Sequence, residues 1–411
     1  MAPPFRARVR RSKVDIVGDP SGRSTVQTMT AVLATTVSVG VALSGAAGGP
    51  PAETPQTVEA PTLVVDPTWP TLPENWVLGE VSAVAVDSRD HVWVLHRPHS
   101  VAPELASAGE VPPAVLELDE NGTLVQAWGG PAPGYEWPDT EHGIHVDASG
   151  HVWISGNNPL GRNPPSQKSD DQLLKFTTAG DFVLQIGRRD QSGGNTDTDN
   201  FRQPADMWVH PHTNELFVAD GYGNRRVIVV DANTGVFKRH WGAFGNPPRD
   251  PSTRARSIDD VLGTPADAEE DLKQFGLVHG LVVSNDGLVY VADRSNKRVQ
   301  VFAIDGTFRT QTFVGPETPG AAGTAASLGL SPDPEQRFLY VADLTNAQVV
   351  ILDRGTLERL GTFGERGNAP GQFRMAVHDI AVDSVGNIYT ADLGPRAQKF
   401  ALTRSPATPG R

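Results

Sequence analysis

GLVVSNDGLVYVADRSNKRVQVFAIDG, residues 280–306, packs three short apolar runs and two turns into twenty-seven residues. The runs are rich in Val, Tyr and Phe and alternate in polarity, which is the pattern of half-buried strands rather than helices. SNDG supplies the residue types that a tight hairpin turn requires. Moving outward, the same sentence recurs in both directions. Before it stand AVAVDSRDHVWVLHR from Ala83, GIHVDASGHVWISG from Gly143 and MWVHPHTNELFVADGYGNRRVIVVD from Met207. After it come LGLSPDPEQRFLYVADLTNAQVVILD from Leu328 and DIAVDSVGNIYTADLGPRAQKFAL from Asp379. Six such units, none able to bury its faces alone, predict an all-β six-bladed β-propeller with four-stranded blades. The last unit shows three strands, so TLVVD at 62–66 is expected to supply the fourth and close the ring.

The rest of the chain is organised around this domain. Arginines 6, 8, 10, 11 and 23 and Lys13 precede the uncharged run MTAVLATTVSVGVAL at 29–43, and SGAAGG follows. This predicts a signal peptide or N-terminal anchor over residues 1–46 and export to a secreted or periplasmic location. A Pro/Thr-rich spacer with the closing strand occupies 47–74, the propeller 75–403 and a tail 404–411. The chain has no cysteine, which excludes disulfides, thiolate ligands and a thiol nucleophile. Residues 1–46 carry six basic and two acidic side chains, so the remainder is near −17 against −13 for the whole. So acidic a surface argues against a nucleic-acid partner. No stable membrane span is expected once the leader is removed, and the protein is expected to be a monomer.

One position in the repeat carries chemistry. The residue that opens the first strand is histidine in the second, fourth and sixth units, as His142, His279 and His378. In the other three the sequence reads SAVAVD from Ser82, ADMWVH from Ala205 and SLGLSP from Ser327. Alternate units of a six-fold ring lie about 120° apart, and first strands line the channel. Only about one in ten random placements of three histidines over six slots would alternate. Three neutral imidazoles with an open fourth position are the usual catalytic zinc set. At the end of the second strand Arg97 and Arg294 occupy matching positions in opposed units, where paired guanidinium groups suit a carboxylate.

The consensus seen from Gly371 to Asp392 resembles the NHL repeat. VAVDSRDHVWVLHR, HGIHVDASGHVWI, VADGYGNRRVIVVD, VHGLVVSNDGLVYVADR and MAVHDIAVDSVGNIYTAD are similar, in order, to motifs of peptidyl-α-hydroxyglycine α-amidating lyases. The resemblance covers most of residues 81–400. It implies zinc on His142, His279 and His378, and Arg97 and Arg294 acting on the substrate carboxylate and transition state. It further implies Tyr222 as general base, Met375 in the active site, and a structural calcium on Asp379 with the carbonyls of Val84 and Ile144. Gly223 departs from the pattern, standing where the animal enzymes carry a cysteine. The expected activity is lyase cleavage of an N-acyl α-hydroxyglycine-type hemiaminal to an amide and glyoxylate. The expected partner is a small carboxylate-bearing α-hydroxy amide or peptide substrate. Two alternatives stand beside it: a non-catalytic NHL-repeat propeller binding a protein or glycan, and a calcium-dependent propeller hydrolase.

Overall fold

The computed structural model describes residues 59–158, 168–250, 272–320 and 322–404. The leader at 1–46 lies outside them. Six four-stranded antiparallel sheets form in chain order. The fourth is typical: Val278–Val283, Leu288–Asp293, Arg298–Ala303 and Phe308–Phe313. The sixth is completed as expected by Thr62–Asp66, which pairs with Ala397–Arg404 outside Ile388–Ala391 and Asp379–Val382. The inner strands pack one on the next around a ring: Glu80–Val86, Glu141–Val146, Asp206–His210, Val278–Val283, Ala325–Leu330 and Asp379–Val382. The fold is an all-β six-bladed propeller.

Local chemistry explains the hairpins. Asp87, Asp147 and Asp383 each close the inner turn by accepting two backbone N–H bonds, as Asp147 Oδ1 does from Ser149 and His151. Such Asx turns are why these aspartates follow the inner strand. Gly287 and Gly386 sit at the turn with φ of +78° and +93°, which a glycine adopts freely. Between blades, alternate strand residues interdigitate; Trp93 and Leu95 of blade one meet Ile144, Ile154 and Leu174 of blade two. A second device holds the loops at the other end of the blades. Asp220 pairs with Arg226 and Asp293 with Arg298, all four side chains essentially inaccessible. Arg226 also donates to the carbonyls of Asn195 and Asn200, and Arg298 to that of Gln274. Truncating one partner of such a pair would strand a buried charge, a cost of about 3–5 kcal/mol.

Two elements are absent from the sequence reading. A six-residue helix, Pro103–Ala108, lies in the long connection after Arg97. It is too short for any periodicity to show, and Pro103 at its first turn is its one local signal. Glu365–Arg366 and Gln372–Phe373 make a small parallel bridge.

Candidate functional site

The inner strands bring His142, His279 and His378 together at one mouth of the channel. Their ring centroids are 4.8–4.9 Å apart, nearly an equilateral triangle. One ligand nitrogen from each lies within 4.8 Å of the others. The Nδ1 atoms face outward to backbone carbonyls: His142 to Ala205 at 2.8 Å, His279 to Ala326 at 2.9 Å and His378 to Ser82 at 2.6 Å. A carbonyl only accepts, so each Nδ1 carries the proton and each Nε2 keeps its lone pair. Burial, then the charges of neighbouring histidines and arginines, pushes the His142 pKa well below its ordinary value. His279 is lowered in the same way, and burial brings His378 down to about 3. All three rings are therefore neutral near pH 7, the state that a metal ligand requires.

The carbonyls correct one detail of the repeat. Ser82, Ala205 and Ala326 come from the three units without histidine, so the histidine slot of blade five is Ala326, not Ser327. The strand register agrees, since Leu328 pairs with Val341 as Leu281 pairs with Val291. SLGLSP begins one residue later than the slot, and its small residues left nothing in the pattern to reveal the slip.

Tyr222 completes the mouth. Its Oη lies 3.0 Å from His142 Nε2 and 3.1 Å from His279 Nε2, and accepts a bond from Arg294 Nη1 at 3.1 Å. The Arg294 guanidinium also stacks over the tyrosine ring at 5.5 Å. Arg294 is buried, and its Nε has no hydrogen-bond partner among the described residues. Arg97 donates through Nε to the Glu141 carbonyl at 2.7 Å and pairs through Nη1 with Glu80 at 2.8 Å. Both arginines bear electrostatically on His142 and His378. Met375 stands apart: it is 56% exposed, and its carbonyl accepts from Arg366.

Beneath the histidines a small cavity of about 10 Å³ is lined by them and by Asp206, Ser327 and Asp379. Asp379 accepts from the Val84 N–H at 2.9 Å and from Ser327 Oγ at 2.5 Å. Asp206, on the opposed blade, accepts from the N–H groups of Leu281 and Met207. Burial raises the pKa of both carboxyls, and for Asp206 the facing charge of Asp379 raises it further. Asp206 is thus a second carboxylate beside Asp379, in an environment that a cation would relieve. Val84 and Ile144 line the same channel, where it opens to a cavity of about 390 Å³ on the far face. The donor chemistry fits both implied metals: imidazole nitrogens for zinc above, and hard oxygen ligands for calcium below. Asp87, His91 and Glu117 also cluster, but Arg89 already bonds both carboxylates there.

The chain is similar to several known proteins. The NHL repeat model matches residues 275–302, the inner strands of blade four. Peptidyl-glycine alpha-amidating monooxygenase B of Xenopus laevis is 27% identical over 369 residues, 84% of this chain and 36% of that protein. NHL repeat-containing protein 3 of Homo sapiens is 24% identical over 351 residues, 83% of this chain and 84% of that one. The probable peptidyl-alpha-hydroxyglycine alpha-amidating lyase pgal-1 of Caenorhabditis elegans is 25% identical over 239 residues, 55% of this chain and 56% of that one. The chain spans about a third of the length of the amidating monooxygenases it matches. With six four-stranded blades, an NHL repeat matched in the fourth, and relatives named as amidating lyases over about half of its length, the chain is an NHL-type β-propeller that resembles the peptidyl-α-hydroxyglycine α-amidating lyases.

Proposed function

We propose that the protein is an exported, zinc-dependent carbon–nitrogen lyase that splits an N-acyl α-hydroxyglycine-type hemiaminal into an amide and glyoxylate. The observation that carries this reading is Tyr222 Oη, held between two histidine Nε2 atoms and Arg294. Bound at the three Nε2 atoms, zinc would supply Lewis acidity toward a substrate hydroxyl. Arg97 and Arg294 offer planar donors to the substrate carboxylate, and the free Nε of Arg294 is one of them. With the carboxylate so held, the hydroxyl carbon is presented to the histidine face. Having first given up its own proton to solvent, Tyr222 takes the hydroxyl proton, and Arg294 holds its Oη by donating to it. The carbon–oxygen double bond forms as the carbon–nitrogen bond breaks, its electron pair leaving with nitrogen. The same tyrosine returns the proton to that nitrogen, so the step balances without an external acid. Calcium on Asp379, Asp206 and the carbonyls of Val84 and Ile144 would lock the opposed inner strands beneath the site. Met375 would border the substrate from the solvent side.

The test is glyoxylate release from α-hydroxyhippurate, with zinc and calcium content measured on the same undialysed protein. Histidine-dependent glyoxylate supports the reading; none above a His142→Ala control overturns it. The relative named as an NHL repeat-containing protein matches 83% of this chain, so a non-catalytic propeller is the second reading. Protein without tightly held zinc favours that one.

A further inference from the structure

The position that carries Arg97 in blade one and Arg294 in blade four carries Asn157 in blade two, the blade of His142. Arg97 ends the second strand of its blade and Asn157 and Arg294 directly follow theirs, and the N–H groups of Asn157 and Arg294 make the same backbone bond, to the carbonyls of Thr140 and Leu277. Asn157 is 94% buried, at 6% relative exposure. Its Oδ1 is sealed from solvent and has no hydrogen-bond partner among the described residues. Its neighbour Asn158 shows the usual behaviour, donating from its backbone to Asp170 and from its side chain to Asp139 and the Lys168 carbonyl. Buried amide oxygens are almost always paired, and leaving one unpaired costs about 1–3 kcal/mol. The backbone around Asn157 is fixed on both sides, since Asp170 also accepts from the N–H groups of Asp139 and Thr140. The unpaired amide is therefore held in place rather than loosely packed.

An asparagine side chain presents one acceptor and one donor on a single edge. A ligand edge that matches it bears a carbonyl and, on the same side, an N–H. A ureido group has that edge, with its carbonyl and the syn N–H of its terminal nitrogen. A peptidyl or benzoyl amide does not: its acyl carbon is substituted by carbon, and Oδ1 would stay unpaired. We infer that Asn157 is a specificity-determining residue that reads the acyl end of the substrate, and that the preferred substrate class is a ureido (carbamoylamino) α-hydroxy acid. This rests on the lyase reading above. The carboxylate goes to the arginines, the hydroxyl to the histidine face, and the ureido edge to Asn157. The products are then urea or a substituted urea and glyoxylate.

The experiment compares glyoxylate release from ureidoglycolate and from α-hydroxyhippurate by the wild-type protein and by Asn157→Leu and Asn157→Asp, each with its zinc content and melting temperature recorded. The wild type is expected to prefer the carbamoyl substrate by about 10²-fold in kcat/KM. Asn157→Leu should collapse that preference to within a few-fold. Asn157→Asp keeps the shape and an acceptor but loses the donor, and should retain part of it. A wild type that prefers the benzoyl substrate, or variants whose preference is unchanged, would overturn the inference and leave the lyase reading standing. No histidine-dependent glyoxylate from either substrate would overturn the lyase reading itself.

Discussion

Blades two, four and six differ from blades one, three and five in what their inner strands give to the mouth. The even blades contribute imidazole rings, and the odd blades contribute the carbonyls of Ser82, Ala205 and Ala326 that fix those rings. Each site element therefore spans a seam between blades, and ring closure itself assembles the site: His378 of the last blade leans on Ser82 of the first. The difference between the two kinds of blade shows why side chains alone cannot describe the site. Half of its architecture is backbone, which any small residue supplies.

Removing a ring should have the largest effect. His142→Ala is expected to abolish tight zinc binding and to lower lyase activity on the order of 10³-fold or more, as read by metal analysis and glyoxylate release. Ala326→Gly, on an odd blade, keeps its carbonyl and should keep its zinc. Equal metal loss in both variants would erase the division of labour between blades.

The rings and the carbonyls were unequally legible in the sequence. The blades announced themselves through alternation and turn residues, and TLVVD at 62–66 could be assigned because the last unit lacked a strand. Histidine is rare enough that its alternation was visible, and Arg97 and Arg294 aligned on the flanking VWVLHR and VYVADR strands. The supporting carbonyls had no residue signature, and in blade five the register slipped by one because Ala326 and Ser327 are both small. What pairs Asp206 with Asp379 is the ring's geometry, across 173 residues of chain. Asn157 carried no signal at all until its amide was seen to be buried and unpaired.

Acid should expose the even blades' dependence on metal. Burial holds the His378 pKa at about 3 in the folded, metal-free protein, against about 6.5 for a free imidazole. Below pH 6.5 the unfolded chain binds the proton and the folded one does not. Its contribution to stability is therefore complete above about pH 6.5 and is lost as pH falls toward 3. The slope is about 1.4 kcal/mol per pH unit for each such histidine. Chelator-treated protein should lose melting temperature steeply across this window, and His378→Gln should lose it less steeply. Parallel slopes would mean that the ring is not held neutral by burial.

A smaller effect is expected where an even blade must approach an odd one. A Cβ on Gly280 would stand 2.6 Å from the Ala326 carbonyl oxygen and 2.9 Å from Ser327 Cα, so the strands must part. Gly280→Ala should cost about 1–3 kcal/mol and weaken zinc affinity about 10–100-fold through the loosened His279. Gly287→Ala, at φ +78° with open space around it, should strain only its own turn and leave zinc affinity alone. The pair separates backbone approach at the site from backbone conformation away from it.

The opposed carboxylates give the finest test, because the sign of the change depends on what lies between them. Asp206 and Asp379 are both buried, and the charge of Asp379 raises the cost of ionising Asp206. Asp379 receives a hydroxyl donor from Ser327, whereas Asp206 is served by backbone N–H groups alone. Replacing Asp206 with Asn keeps its volume and removes an acid whose pKa burial and Asp379 push up to about 8. In chelator the substitution relieves the cost of burying that acid, and the melting temperature should rise by a few degrees for about 1 kcal/mol. In calcium it removes a hard oxygen ligand, and the melting temperature should fall relative to the wild type. A shift of the same sign in both conditions would show that no cation joins the two blades there, and the even and odd strands would then meet at this level through hydrogen bonds only.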